Sequence, residues 1–258
     1  MLRRAAPAAA LVALACALSA CGNGGSGTVP RGNPDARHGA AAVDAYASVE
    51  LLRGRLIASS DSYYASGSAE DARQQLVLAR AAYDALAPRV RANDPVVDRE
   101  VVARFNTLAR DLHAGIAPDH YRDLAGPLAD QLMDGVSQAL VPPPARSDRG
   151  VQAEALRRVT ARLAATYDAA SAGADPMTSR LAFEQAWGLW RRAQALTSLI
   201  KPNLGGQAGA VSGTLSALRG SAFPEGPAII DSPPAEKVDN AGTKIIDALN
   251  KRFGFEAL

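Results

Sequence analysis

Asp119, His120, Asp123, Asp130 and Asp134 form a run of side chains able to ligate a cation. Asp130 and Asp134 are four apart, which places both carboxylates on one face of a helix. Asp119, His120 and Asp123 lie just upstream, across Gly126-Pro127. If that break folds one segment back on the other, the group becomes an oxygen-rich cation site. The competing expectation is a solvated acidic face with Arg122 as partner. A second cluster combines Trp187, Trp190, Arg191 and Arg192. Two indoles three residues apart are not equally central to one narrow seam. One of them is expected to face a groove or partner, and the adjoining arginines suit an anionic or aromatic surface.

Other chemistry is thinly represented. His38 and His113 have no histidine at i+4, and His113 sits where a cation suits a helix C-terminus. There is no H-E-x-x-H and no G-x-S-x-G. Gly205-Gly206 lacks the Gly-Lys-Ser/Thr end of a phosphate loop. No nucleophile has an evident base beside it, so an enzyme is not expected. The six tyrosines sit mostly on or beside apolar stripes, where core packing is the ordinary use.

The elements that would position these groups read as helices throughout. Ala45, Val49, Leu52, Leu56 and Tyr63 share one face from about Gly39 to Ser66-Gly67. Ser68 and Asp71 form a capping box. Ala72, Leu76, Ala79, Tyr83, Leu86 and Val90 follow as a bundle-type seam that Pro88 should kink or end. Asp94-Pro95 restarts the chain, with Val97, Val101, Phe105, Leu108 and Leu112 as the stripe and Gly115 as the stop. After Gly126-Pro127 come Leu128, Leu132, Val136 and Leu140. Asp148 caps a helix carrying Leu156, Val159, Leu163 and Tyr167. Asp175-Pro176 opens another, with Phe183, Trp187, Trp190, Ala193 and Ile200. Asn203 to Gly220 is rich in Gly and Ser and reads as weakly helical at best. Residues 221–235 read as loop, and Val238, Ile245, Leu249 and Phe253 mark a last helix. No segment alternates as a strand would.

The expected fold is therefore all-α, an antiparallel helical bundle. Pro142-Pro143-Pro144 is a stiff spacer between two stretches, 39–141 and 151–258, with 142–150 as linker. Tyr63, Asp71 and Tyr83 align with Tyr167, Asp175 and Trp187 at a constant offset, so the halves are either similar or alike by chance.

The N-terminus carries a different signal. Arg3 and Arg4 precede an apolar run from Ala5 to Ala17, too short to span a bilayer, and then small residues: a secretory signal over 1–20. Without those two arginines the basic residues equal the 26 acidic ones. That balance does not mark a nucleic-acid binder. Leu18-Ser19-Ala20-Cys21 resembles the lipobox of bacterial lipoproteins. The resemblance implies cleavage before Cys21, lipid on its sulfur, and a body held at the extracytoplasmic face of a cell membrane. The only other cysteine is Cys16, within the signal. The mature body is thus expected to have no disulfide, zinc finger or iron–sulfur cluster. Residues 21–38 read as lipidated Cys and flexible tether, with a reach of roughly 20–25 Å. Gly22 to Gly27 fits G-x-G-x-x-G only formally, with no strand before it or helix after it.

A weaker resemblance lies in the body, at Tyr64, Gly67, Ala72, Ala79, Tyr83, Asp94, Glu100, Phe105 and Leu108. The segment resembles the helical extracytoplasmic segments of oxidase-dependent iron permeases and, more loosely, imelysin-type iron-uptake lipoproteins. It departs from both. There is no Arg-Glu-Gly-x-x-Glu, and Ile116 and Asp123 stand where His-x-x-Glu would need Glu after His113 or His120. The resemblance implies a helical fold and, as an expectation, iron handling near the Asp119–Asp134 carboxylates. The sequence thus points to a lipid-anchored binding or accessory protein. A metal cation is its candidate ligand, and a membrane transporter or envelope protein its candidate partner. A structural lipoprotein that acts through a protein partner alone is the alternative.

Overall fold

A computed structural model describes residues 31–172, 176–227 and 235–256. Leu18 to Cys21, residues 22–30 and Asp175 lie outside the described residues. Every regular element is helical, and no strand occurs among the described residues. The chain runs α1 (Pro34–His38), α2 (Ala40–Ser66), α3 (Ala69–Asp84), α4 (Ala87–Asn93), α5 (Pro95–His113) and α6 (Pro118–Pro127). A π-helical turn, Leu128–Leu132, leads into α7 (Met133–Leu140) and α8 (Pro143–Ser147). Then come α9 (Arg149–Ala172), α10 (Pro176–Leu204), a 3₁₀ turn at Gly205–Gln207, α11 (Ala208–Ser221) and α12 (Glu236–Phe253).

Local chemistry explains the boundaries. Gly67 ends α2 in the left-handed region at φ 69°, open to glycine at little steric cost. The Ser68 hydroxyl accepts from the Asp71 N–H at 3.3 Å to start α3. Asp94 Oδ1 accepts from both Val96 and Val97 N–H at 3.1 Å, and Pro95 fills the first helical position. Asp148 does the same for α9 through Gly150 and Val151 N–H.

α2 is the axis of the molecule, packed against α3, α6, α9 and α10. Its closest partner is α10. A Cβ built on Gly188 would stand 2.0 Å from the Gly54 carbonyl oxygen and 2.9 Å from the Ala58 nitrogen. The two backbones approach closely enough that only hydrogen fits. α9 and α10 form an antiparallel hairpin, and α12 lies across α9 and α11.

Four expectations meet a different outcome. Pro34–His38 is helix, not tether, held by Arg37 and His38 on Asp148. The Gly- and Ser-rich run past Asn203 contains α11, because Val211, Leu215 and Leu218 recur at helical spacing and are buried; packing outweighs weak propensity. Pro142–Pro144 does not separate two cores, since α2 packs on α9 and α10 in one continuous apolar cluster. Gly126-Pro127 does not fold the chain back. The missing N–H of Pro127 is absorbed by the π-helical turn, and the chain continues into α7.

Candidate functional site

That continuity decides the fate of the carboxylates. Along a helix, Asp119 and Asp130 stand roughly 16 Å apart. Asp119 pairs with Arg122 at 3.2 Å, and the Arg122 guanidinium lies over the Tyr64 ring, 3.9 Å from its centroid. His120, Asp123 and Asp130 are exposed. Asp134 pairs with Arg53. Among the described residues, no three His, Cys, Asp or Glu side chains are grouped to hold a metal ion. The structure does not bring Asp119, His120, Asp123, Asp130 and Asp134 together.

The tryptophan cluster is also placed differently from expectation. Trp187 and Trp190 are 6% and 4% exposed. Their ring centroids are 4.9 Å apart, and both lie within 6 Å of Phe223. The Trp190 indole donates to the Leu215 carbonyl on α11, and the Trp187 indole to Asp61 on α2, each at 2.8 Å. Arg191 donates to the same Asp61 carboxylate, while Arg192 pairs with buried Glu50. α10 is covered by α2, α9 and α11, so its apolar arc is wide enough for both indoles. The four residues join elements inside the body and leave only Arg191 substantially exposed.

Sequence reading missed a set of buried charges. Glu50 accepts from Arg192 and lies 3.6 Å from Arg53. Arg53 also donates to the Ala129 and Asp130 carbonyls of the π-helical turn at 3.1 and 3.3 Å. Burial, with Glu50 next in effect, pushes the neighbouring Tyr46 hydroxyl up to about 12. On α10, burial pushes Glu184 up to about 7; the Gln75 amide donates to it at 2.9 Å, and Asp71 beside it is held by Arg180. Asp98 accepts from Tyr83 and Arg91; burial alone would raise it, but these bonds hold its carboxyl below the usual range. Such groups read in sequence as solvated because charge normally stays at the surface. No periodicity announces their pairing.

A mostly apolar concavity lies between α3 and α5 and encloses about 440 Å³. Leu76, Val77, Ala81, Phe105 and Ala109 line it, with Arg73, Arg80, Asn106 and His113 at its edge. Arg80 is tied to Asp84 at 2.7 Å and lies over the Phe105 ring. Val77 is 63% exposed. The sequence signal for this groove is slight: Val77 is an apolar residue one step off the α3 stripe. Comparison with known proteins adds nothing to this geometry, since no family model, curated protein or solved structure matches the chain.

Proposed function

We propose that the chain is a lipid-anchored extracytoplasmic binding or accessory protein. Its helical body is held at a membrane by Cys21 and offers the α3–α5 groove to a small apolar ligand. The observation that carries the reading is Leu18-Ser19-Ala20-Cys21 following a positively charged start and a short apolar run. No described helix is long and apolar enough to cross a membrane, which is compatible with attachment through lipid. The groove's volume falls within the range of small-molecule sites, and its lining is mostly apolar. Metal uptake, iron above all, is the weaker version, because the carboxylates meant for it stand apart.

The anchor is tested by labelling cells with a fatty acid during expression of the full chain. Label should enter the wild type and be absent from Cys21→Ala. Label in neither sinks the anchored reading. The groove is tested with an anilinonaphthalene probe. Ala109→Trp fills the site and should abolish probe fluorescence while leaving the far-UV circular dichroism unchanged. Undiminished fluorescence would return the reading to a structural lipoprotein without a ligand.

A further inference from the structure

The described chain begins and ends at one pole. The Gly32 N–H donates to the Phe253 carbonyl at 2.8 Å. Arg252 donates to the Asn203 carbonyl at 2.6 Å, where α10 ends. Arg37 and His38 are held by Asp148 at the start of α9. The starts of α2 and α9 and the ends of α10 and α12 therefore share this pole. The turn at Gly67 stands at the other, one length of α2 away, or about 40 Å.

Reach limits which pole can meet a membrane. Nine residues separate Cys21 from Arg31. Fully extended, that stretch spans at most about 35 Å, and a flexible chain of the same length averages about 17 Å. An anchor at Cys21 therefore cannot set the upright body on its Gly67 pole.

Charge distinguishes the poles further. At the near pole Arg31, Lys201 and Lys251 are exposed, and their side chains make no hydrogen bond or ion pair with the described residues. The Asp148 carboxylate there is already engaged by Arg37, His38 and the N–H groups of α9. Of the other acidic groups near this pole, Glu154 and Asp44 are paired with Arg157 and Arg158, while Asp35, Asp247 and Glu256 make no ion pair with the described residues. Toward the other pole Asp123, Asp168, Glu236 and Asp239 are exposed and unpaired among the described residues, with Lys237 as the unpaired cation beside them. With basic and acidic residues equal in number after Arg4, distribution rather than total charge sets the attraction.

We infer that the pole bearing Arg31, Lys201 and Lys251 is a membrane-facing surface whose partner is the anionic phospholipid headgroup layer. The inference rests on anchoring at Cys21. It stands the body upright, with the His113 end of the α3–α5 groove directed away from the bilayer.

The test uses the full protein purified from membranes and returned to vesicles. A thiol is introduced at Ala36→Cys on the near pole, or at Ala65→Cys on the far one, and labelled as an energy donor to a headgroup acceptor. On vesicles containing about one-third phosphatidylglycerol, position 36 should transfer far more strongly than position 65. The gap should narrow on neutral vesicles and with Arg31→Glu, Lys201→Glu and Lys251→Glu combined. A gap no wider on anionic than on neutral vesicles, or unchanged by charge reversal, overturns the inference.

The mass of the N-terminal peptide from the same sample reads the anchor separately. If Cys21 carries no lipid, the anchored reading fails by itself. Sedimentation with the same vesicles then decides the pole, comparing wild type with the triple variant, both with the same N-terminus. At least about tenfold weaker binding of the variant supports the surface, and equal binding overturns it.

Discussion

Glu184 meets Asp71 and Gln75 from α3, Arg180 from its own helix and Ser62 from α2. Its carboxyl ordinarily titrates near 4.5, and burial lifts it to about 7 in the folded chain. The unfolded state therefore loses the proton first as pH rises. The stability this group contributes is full below 4.5, falls between 4.5 and 7, and is gone above. A shift of that size is worth roughly 3 kcal/mol. Glu184→Gln should raise the urea midpoint at pH 8 and flatten its decline across that window; a parallel decline in both proteins would contradict the account. Arg53 has the opposite character. Arg53→Met removes the bonds to the Ala129 and Asp130 carbonyls and the pair with Asp134, and leaves Glu50 with Arg192 alone, at a cost of about 3–5 kcal/mol in denaturant titration. At this scale the sequence was least legible. Helical spacing reveals which Leu and Tyr turn inward, but the pairing of Glu50 with Arg192, 142 residues apart, leaves no local trace.

Elements were easier to read, for a physical reason. A helix that buries one face repeats its apolar residues at three and four, and Ala45, Val49, Leu52, Leu56 and Tyr63 on α2 are all buried as that spacing expects. The same holds for Val101, Phe105, Leu108 and Leu112 on α5. Caps at Ser68, Asp94 and Asp148 were legible because one side-chain oxygen satisfies a nearby N–H, a local event. The reading faltered where an element is held by distant contacts, as with α11 and the two indoles of α10. It also faltered at Pro127, where a π-helical turn keeps the chain going. The crossing of α2 and α10 was invisible too, because nothing local marks Gly54 and Gly188 as partners. Gly188→Ala should force the helices apart and lower the melting temperature by about 5–10 °C in calorimetry. An unchanged melting temperature would mean the crossing relaxes freely.

At the scale of the molecule, the all-α class followed from helical spacing along the whole body. The arrangement of the helices did not. Sequence puts a proline spacer at 142–144, yet α2 is walled by α9 and α10 from beyond it. The body should therefore unfold by heat in one far-UV dichroism transition. A fragment starting at residue 143, deprived of α2, should show no cooperative transition; two separate melts of the whole chain would argue for independent halves. The candidate site follows the same rule. Spacing suggested a carboxylate cluster that the fold keeps apart, whereas the α3–α5 groove depends on how two helices pack around Phe105.

The chain has two tryptophans, and the fold sets them side by side under α11. Emission excited at the red edge thus reports on α10 where it meets α11 and α2. With their rings 4.9 Å apart, the two indole transitions should couple and give a paired positive and negative dichroism band in the 220–230 nm region, about where indole absorbs strongly. Loss of that couplet before the helical signal would show α11 peeling from an otherwise intact body, an optical record of local opening.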